Sequence, residues 1–138
     1  VNNWSDYGGI PAYNAYFGTN TTTWYTDPRV QAQYQKYVET VVCRYRNSSA
    51  VFAWELANEP RCHSYDPSVF TTWATTTSAF IKSLDPSHMI TTGEEGFMNG
   101  GGDGSYVYTT GEGMDFEANL KIPVYSPFTS ITLSFTKS

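Results

Sequence analysis

The stretch Ala50–Pro60, AVFAWELANEP, decides how the chain is read. Val51 to Ala57 is a short apolar run bounded by polar residues, of a length that suits a buried strand and not a helix. Within it stands Glu55, and at its end Glu59, beside Asn58 and before Pro60. Carboxylates are costly to bury unless something pairs with them or uses them. Side chains alternate along a strand, so two residues four apart point to the same face. Glu59 is then a candidate for chemistry at the carboxyl end, or an ordinary strand-end carboxylate. Glu55, deeper in the strand, is expected to pair with a basic group.

Working outward, Asp27-Pro28 is a sharp helix start, with Asp as cap and Pro in the first turn. Val30, Tyr34, Tyr37, Val38, Val41 and Tyr45 follow at helical spacing, opposite Gln31, Lys36, Glu39 and Arg44. Asp66-Pro67 repeats the signal, and Val69, Phe70, Trp73, Thr77, Phe80, Ile81 and Leu84 form a second inner stripe that Asp85-Pro86 ends. HMITTG, residues 88–93, predicts a second buried strand leading to Glu94 and Glu95. Residues 1–9 read as a strand end running into a loop, 13–26 as further loop, 93–113 as a long Gly-rich loop, and 114–121 as a short helix. Residues 124–138 read as a weak strand or a disordered tail. Strands alternating with helices predict parallel β/α units, whose sites lie at the carboxyl ends of the strands.

Composition narrows the function. A net charge of -5, with Lys+Arg 8 against Asp+Glu 13, leaves no basic patch for nucleic acid. Aromatic residues, at 17%, outnumber charged ones, at 15%, which suits a neutral polyhydroxylated ligand such as a sugar, although most such rings fill cores. No apolar run approaches the roughly 20 residues of a membrane span, so no membrane partner is expected. The chain opens at Val1 without a leader, so any secretion signal is expected to have been removed or not included. Sequons at Asn3, Asn20 and Asn47 lean towards secretion. His63 and His88 show no ligand spacing, so no metal and no organic cofactor is indicated.

WELANEPRC, residues 54–62, resembles the acid/base segment of glycoside hydrolase family 5, and the remainder is similar to the fungal endo-β-1,4-mannanases of that family. The pieces that carry the resemblance are VNNWSDYGG, YVETVVCRY, FAWELANEPRC, FIKSLDPSHMITTGEEG and GDGSYVYTTGEGMDF, in that order. The resemblance implies an α/β fold, an incomplete (β/α)8 TIM barrel holding about the third to fifth βα units. Residues 1–123 would be a partial catalytic domain and 124–138 an unrelated or disordered tail. It implies Glu59 as general acid/base, Asn58 as the residue that hydrogen-bonds the sugar 2-hydroxyl, Trp4 as a stacking aromatic, and Arg61 and Glu95 as contacts on the leaving-group side. Each has a plainer alternative: Trp4 packed on a helix, Arg61 a rim charge, and one of Glu94 and Glu95 facing solvent because neighbours on a strand diverge.

The implied activity is endo-hydrolysis of β-1,4-mannosidic linkages in mannan, glucomannan and galactomannan with retention, by a secreted parent expected to be a monomer. Its partner would be β-mannan polysaccharide or oligosaccharide. A retaining mechanism needs a second carboxylate as nucleophile, about 5 to 5.5 Å from the first. The family carries it on a later strand that no segment here resembles, so the chain is expected to be a fragment, or the product of a truncated or shifted reading frame, and inactive alone. The alternatives are an inactive carbohydrate-binding fragment and a cellulase of the same family. The family's second cysteine, three residues after Cys62, is replaced by Tyr65, and Cys43 lies on the first helix, so Cys62 is expected to be unpaired.

Overall fold

The computed structural model describes residues 1, 8–63, 66–100 and 112–122. Its elements are α1 (Gly9–Phe17), α2 (Thr21–Trp24), α3 (Pro28–Tyr45), β1 (Ala53–Glu55), α4 (Ser68–Leu84), β2 (Met89–Thr91) and α5 (Phe116–Asn119). β1 and β2 pair in parallel with Ala53, Trp54 and Glu55 opposite Met89, Ile90 and Thr91. Since α4 joins them, β1–α4–β2 is the expected parallel unit. Val1 flanks β1 on its other side: its N–H donates to Leu56 O at 3.2 Å, and Asn58 N–H donates to Val1 O at 2.7 Å. Bonding to residues on either side of Ala57 is the ladder of a parallel neighbour.

α3 starts where Asp27 accepts from the N–H groups of Arg29 at 2.9 Å and Val30 at 3.4 Å, with Pro28 in the first turn. Its buried row is Val30, Tyr34, Val38 and Val42, one ridge at four-residue spacing. Tyr37 and Tyr45, expected inside, are 54% and 46% exposed, because that ridge alone meets α4 and the sheet. α4 buries Phe70, Trp73, Ala74, Thr77, Ser78 and Ile81, while Val69, Phe80 and Leu84 pack at its margin. Asp66 accepts from Ser68 N–H, but Pro67 takes the cap position.

Between α2, α3 and α4 lies an aromatic cluster in which Trp24 meets Tyr25, Tyr34 and Trp73, and Trp73 meets Tyr25 and Phe70, at centroid separations of 5.1–5.5 Å. Edge-on and tilted contacts of this kind add to area burial. Two of its polar ends are satisfied, Trp73 Nε1 donating to Gln31 Oε1 at 2.9 Å and Tyr34 O–H to Leu56 O at 2.8 Å, whereas the buried Trp24 Nε1 has no partner among the described residues. The second of these bonds ties α3 to the end of β1.

Three expectations change. Residues 13–26, read as loop, carry most of α1 and all of α2. The Asn and Thr residues that suggested a loop form a capping box: Asn20 Oδ1 accepts from Thr22 and Thr23 N–H, and Thr23 Oγ1 accepts from Asn20 N–H. The run 51–57, read as a buried strand, is buried on one face. Leu56 and Ile90 lie on the covered face at 0% and 8% exposure, whereas Glu55 and Thr91 are exposed on the opposite one; Phe52, ahead of β1, is 80% exposed. The ion pair expected for Glu55 is not seen: among the described residues no cationic side chain meets it, and its charged neighbour is the Val1 ammonium.

Candidate active site

Beyond β1 the chain is clamped from both sides. Asn58 N–H is held by Val1, as above, and Glu59 N–H donates to Gly93 O at 3.1 Å. Gly93 has φ +79, and a Cβ there would lie 1.7 Å from Ala57 O, so the two strand ends meet at a spacing that excludes a side chain. Glu59 itself has φ +49, and no other described residue apart from glycine has positive φ. The left-handed region costs a residue with a Cβ roughly 1–2 kcal/mol. The pleat therefore ends before Glu59, and the four-residue spacing from Glu55 no longer sets where its carboxylate points. Glu59 is half-buried; Asn58 is exposed.

Next to this corner sits Arg61, 8% exposed, so the rim-charge reading fails. Its Nε donates to Glu95 Oε2 at 2.9 Å and its Nη2 to Glu95 Oε1 at 3.0 Å, a two-pronged pairing that fixes the guanidinium plane. Nη1 reaches Glu112 Oε2 at 3.4 Å, and the guanidinium carbon stands 4.8 Å from the centre of the buried Phe97 ring. His63 Nδ1 lies 3.2 Å from the same Glu112 oxygen. Tyr25 O–H and Thr22 Oγ1 donate to the carbonyls of Arg61 and His63, each at 3.1 Å, and so fasten this strap to the helical layer.

Neither glutamate after β2 faces solvent, contrary to expectation for one of them. They do diverge: Glu95 turns to Arg61, and Glu94 turns inward, where its Oε2 accepts from Asn119 Nδ2 at 2.9 Å. Glu94 Oε1 is buried with no hydrogen-bond partner among the described residues. Burial pushes the Glu94 carboxyl above its usual range; the Asn119 and Thr92 side chains pull the other way, and nearby Asp115 adds to the rise. Cys62 is a buried free thiol whose pKa burial raises to about 11, which makes it an inert packing group; Cys43 is also free, and exposed.

The structure thus gathers Asn58, Glu59, Arg61 and Glu95 at one end of the sheet. Trp4 lies outside the described residues, as do Asn3 and residues 124–138. Glu112 and His63 join the cluster without having been anticipated; Glu112 stands between glycines in a stretch with no periodicity, so only its charge marked it. Among the described residues no three His, Cys, Asp or Glu side chains converge as a metal site requires, and no helix is long and apolar enough to cross a membrane.

Parallel strand–helix units with carboxylates and an arginine gathered past the strand ends define a β/α scaffold of the kind that carries its site at the carboxyl ends of the strands. A model of the GH family 5 beta-mannosidase-like family matches residues 2–108. The mannan endo-1,4-β-mannosidase A of Hypocrea jecorina is 57% identical over 122 residues, covering 88% of this chain and 28% of that protein. That of Aspergillus aculeatus is 52% identical over 124 residues, covering 88% of this chain and 33% of that protein. Among solved structures, the endo-1,4-β-mannanase of Rhizomucor miehei aligns with a TM-score of 0.83 and 35% identity over 89% of this chain and 40% of that one. The endo-β-1,4-mannanase of Thermotoga petrophila aligns with a TM-score of 0.83 and 34% identity over 90% of this chain and 30% of that one. The chain belongs to glycoside hydrolase family 5, among its β-mannosidase-like members. The solved neighbours are TIM barrels, and the described residues correspond to part of one. The chain spans less than a third of the length of the Hypocrea relative.

Proposed function

We propose that these residues form the acid/base portion of a retaining endo-β-1,4-mannanase, corresponding to about the third to fifth βα units of the barrel. The catalytic portion would be 1–123 and the remainder, 124–138, a tail. The observation that carries the proposal is Glu59, held just past the end of β1 in a left-handed backbone that costs stability and takes it out of the pleat. In this reading Glu59 protonates the glycosidic oxygen as the bond breaks and then takes a proton from the incoming water. Asn58 hydrogen-bonds the 2-hydroxyl, a contact that strengthens as the sugar approaches an oxocarbenium-like state. Arg61 and Glu95 bind the sugar on the leaving-group side, and Trp4 stacks on a ring. The names of the similar proteins support β-mannan as substrate; the sequons at Asn3, Asn20 and Asn47 support a secreted parent, taken here as a monomer.

A retaining double displacement needs a nucleophile opposite Glu59, and the family's segment for it has no match in this sequence, so turnover belongs to a full-length barrel that carries these residues. In such a barrel Glu59→Gln is expected to lower mannan hydrolysis about a hundred- to ten-thousandfold while leaving oligosaccharide binding in place. Undiminished release of reducing ends would refute the assignment.

A further inference from the structure

Arg61 is one cation between two carboxylates that come from different segments. Glu95 follows β2 and occupies Nε and Nη2; Glu112 precedes α5 and faces Nη1 at 3.4 Å. The Glu112 side of this arrangement is built into the backbone. Cys62 N–H donates to Glu112 O at 3.0 Å. Gly113 has φ +68, and a Cβ there would lie 1.8 Å from Cys62 O, so residues 112–113 lie flat against Cys62 with no space for a side chain. The Tyr25 and Thr22 hydroxyls hold Arg61 and His63 from the opposite side. Glu112 therefore reaches Arg61 from a main chain that is fixed relative to Arg61's own.

Two anchors on one guanidinium matter when a sugar arrives. Both Glu95 oxygens already receive from Arg61, and a sugar hydroxyl that donates to a remaining lone pair of Glu95 shares that oxygen and weakens its hold on the guanidinium. A further acceptor on the guanidinium then helps to keep its plane. We infer that Glu112 is that acceptor: a positioning residue that sets the orientation of Arg61 on the leaving-group side without touching substrate. The inference rests on the reading of Arg61 and Glu95 as sugar contacts.

The test uses a full-length barrel carrying these residues, with manno-oligosaccharides as substrate and Arg61→Ala as reference. Glu112→Gln is expected to raise KM about three- to tenfold, the range for loss of one ordinary hydrogen bond and in keeping with the long 3.4 Å contact, with kcat within about twofold. In the Arg61→Ala background it should add nothing further, since the residue it acts through is gone. A purely structural role would instead lower the melting temperature and leave KM in place. Should Glu112→Gln fail to fold, Glu112→Asp keeps the charge, shortens the reach and gives the same readout. An unchanged KM in Glu112→Gln beside a raised KM in Arg61→Ala overturns the positioning role alone. Additive effects of the two substitutions also overturn it. An unchanged KM in Arg61→Ala overturns the sugar-contact reading, and the inference with it.

Discussion

Asp85 and Glu94 are both carboxylates removed from water, and their neighbours move their proton affinities in opposite directions. Burial alone would raise Asp85, but the Trp54 indole, the His88 ring and the N–H groups of His88 and Ser87 outweigh it and hold the carboxyl below its usual range. It forms a polar knot that joins the end of α4 to β1. Glu94 Oε1 has no donor among the described residues, so burial outweighs the Asn119 and Thr92 side chains and the carboxyl titrates above the ordinary 4.5. Below that value the folded and unfolded chains both carry the proton. As pH rises past it, the unfolded chain releases the proton first, and stability falls until the folded group has also ionised. Glu94→Gln in a full-length barrel should therefore match the parent near pH 4 and be the more stable protein at pH 8. Urea melts at the two pH values check this, and equal stabilities at both would show that Glu94 is ionised at no cost.

At the scale of elements, the Asp-Pro pairs were legible because cap and first turn are read from adjacent residues, and α3 begins where they place it. α1 and α2 were not legible, since the same Asn, Gly and Thr that form loops also form caps, and only tertiary burial of Ile10 and Trp24 separates the two uses. The Arg61–Glu95 pairing joins residues 34 apart, and Arg61–Glu112 joins residues 51 apart. No local pattern encodes such contacts; the resemblance put Arg61 and Glu95 on the same side of the site without pairing them, and Glu112 was not reached at all. Glycines at the strand ends are where an element can be tested. Gly93→Ala forces a Cβ onto Ala57 O and is expected to cost on the order of 4 kcal/mol or more. Gly18→Ala, at φ +69 with nothing within 4 Å, pays only for its backbone, about 1 kcal/mol. Similar losses at both positions in denaturant melts would mean that β2 can retreat from β1.

For the whole molecule, the helical layer covers one face of the sheet and leaves the other open. Glu55 and Thr91 lie on that open side, Phe52 is 80% exposed, and among the described residues β2 is hydrogen-bonded only to β1. Open strand edges with apolar surface beside them invite association. The 138-residue chain made alone is expected to form heterogeneous oligomers and to unfold without a sharp transition. Analytical ultracentrifugation showing a single monomeric species that melts cooperatively would contradict this. Parallel units were predictable from strand and helix alternation, whereas the open face was not, because an apolar run looks the same whether one side of it is covered or both.

The twisted backbone at Glu59 sets durability against reactivity. Glycine at that position would relax the main chain and gain heat resistance, and the proton donor proposed there would be lost with it. Any laboratory evolution that rewards thermal endurance without also demanding polysaccharide breakdown would drift towards a sturdier, silent protein.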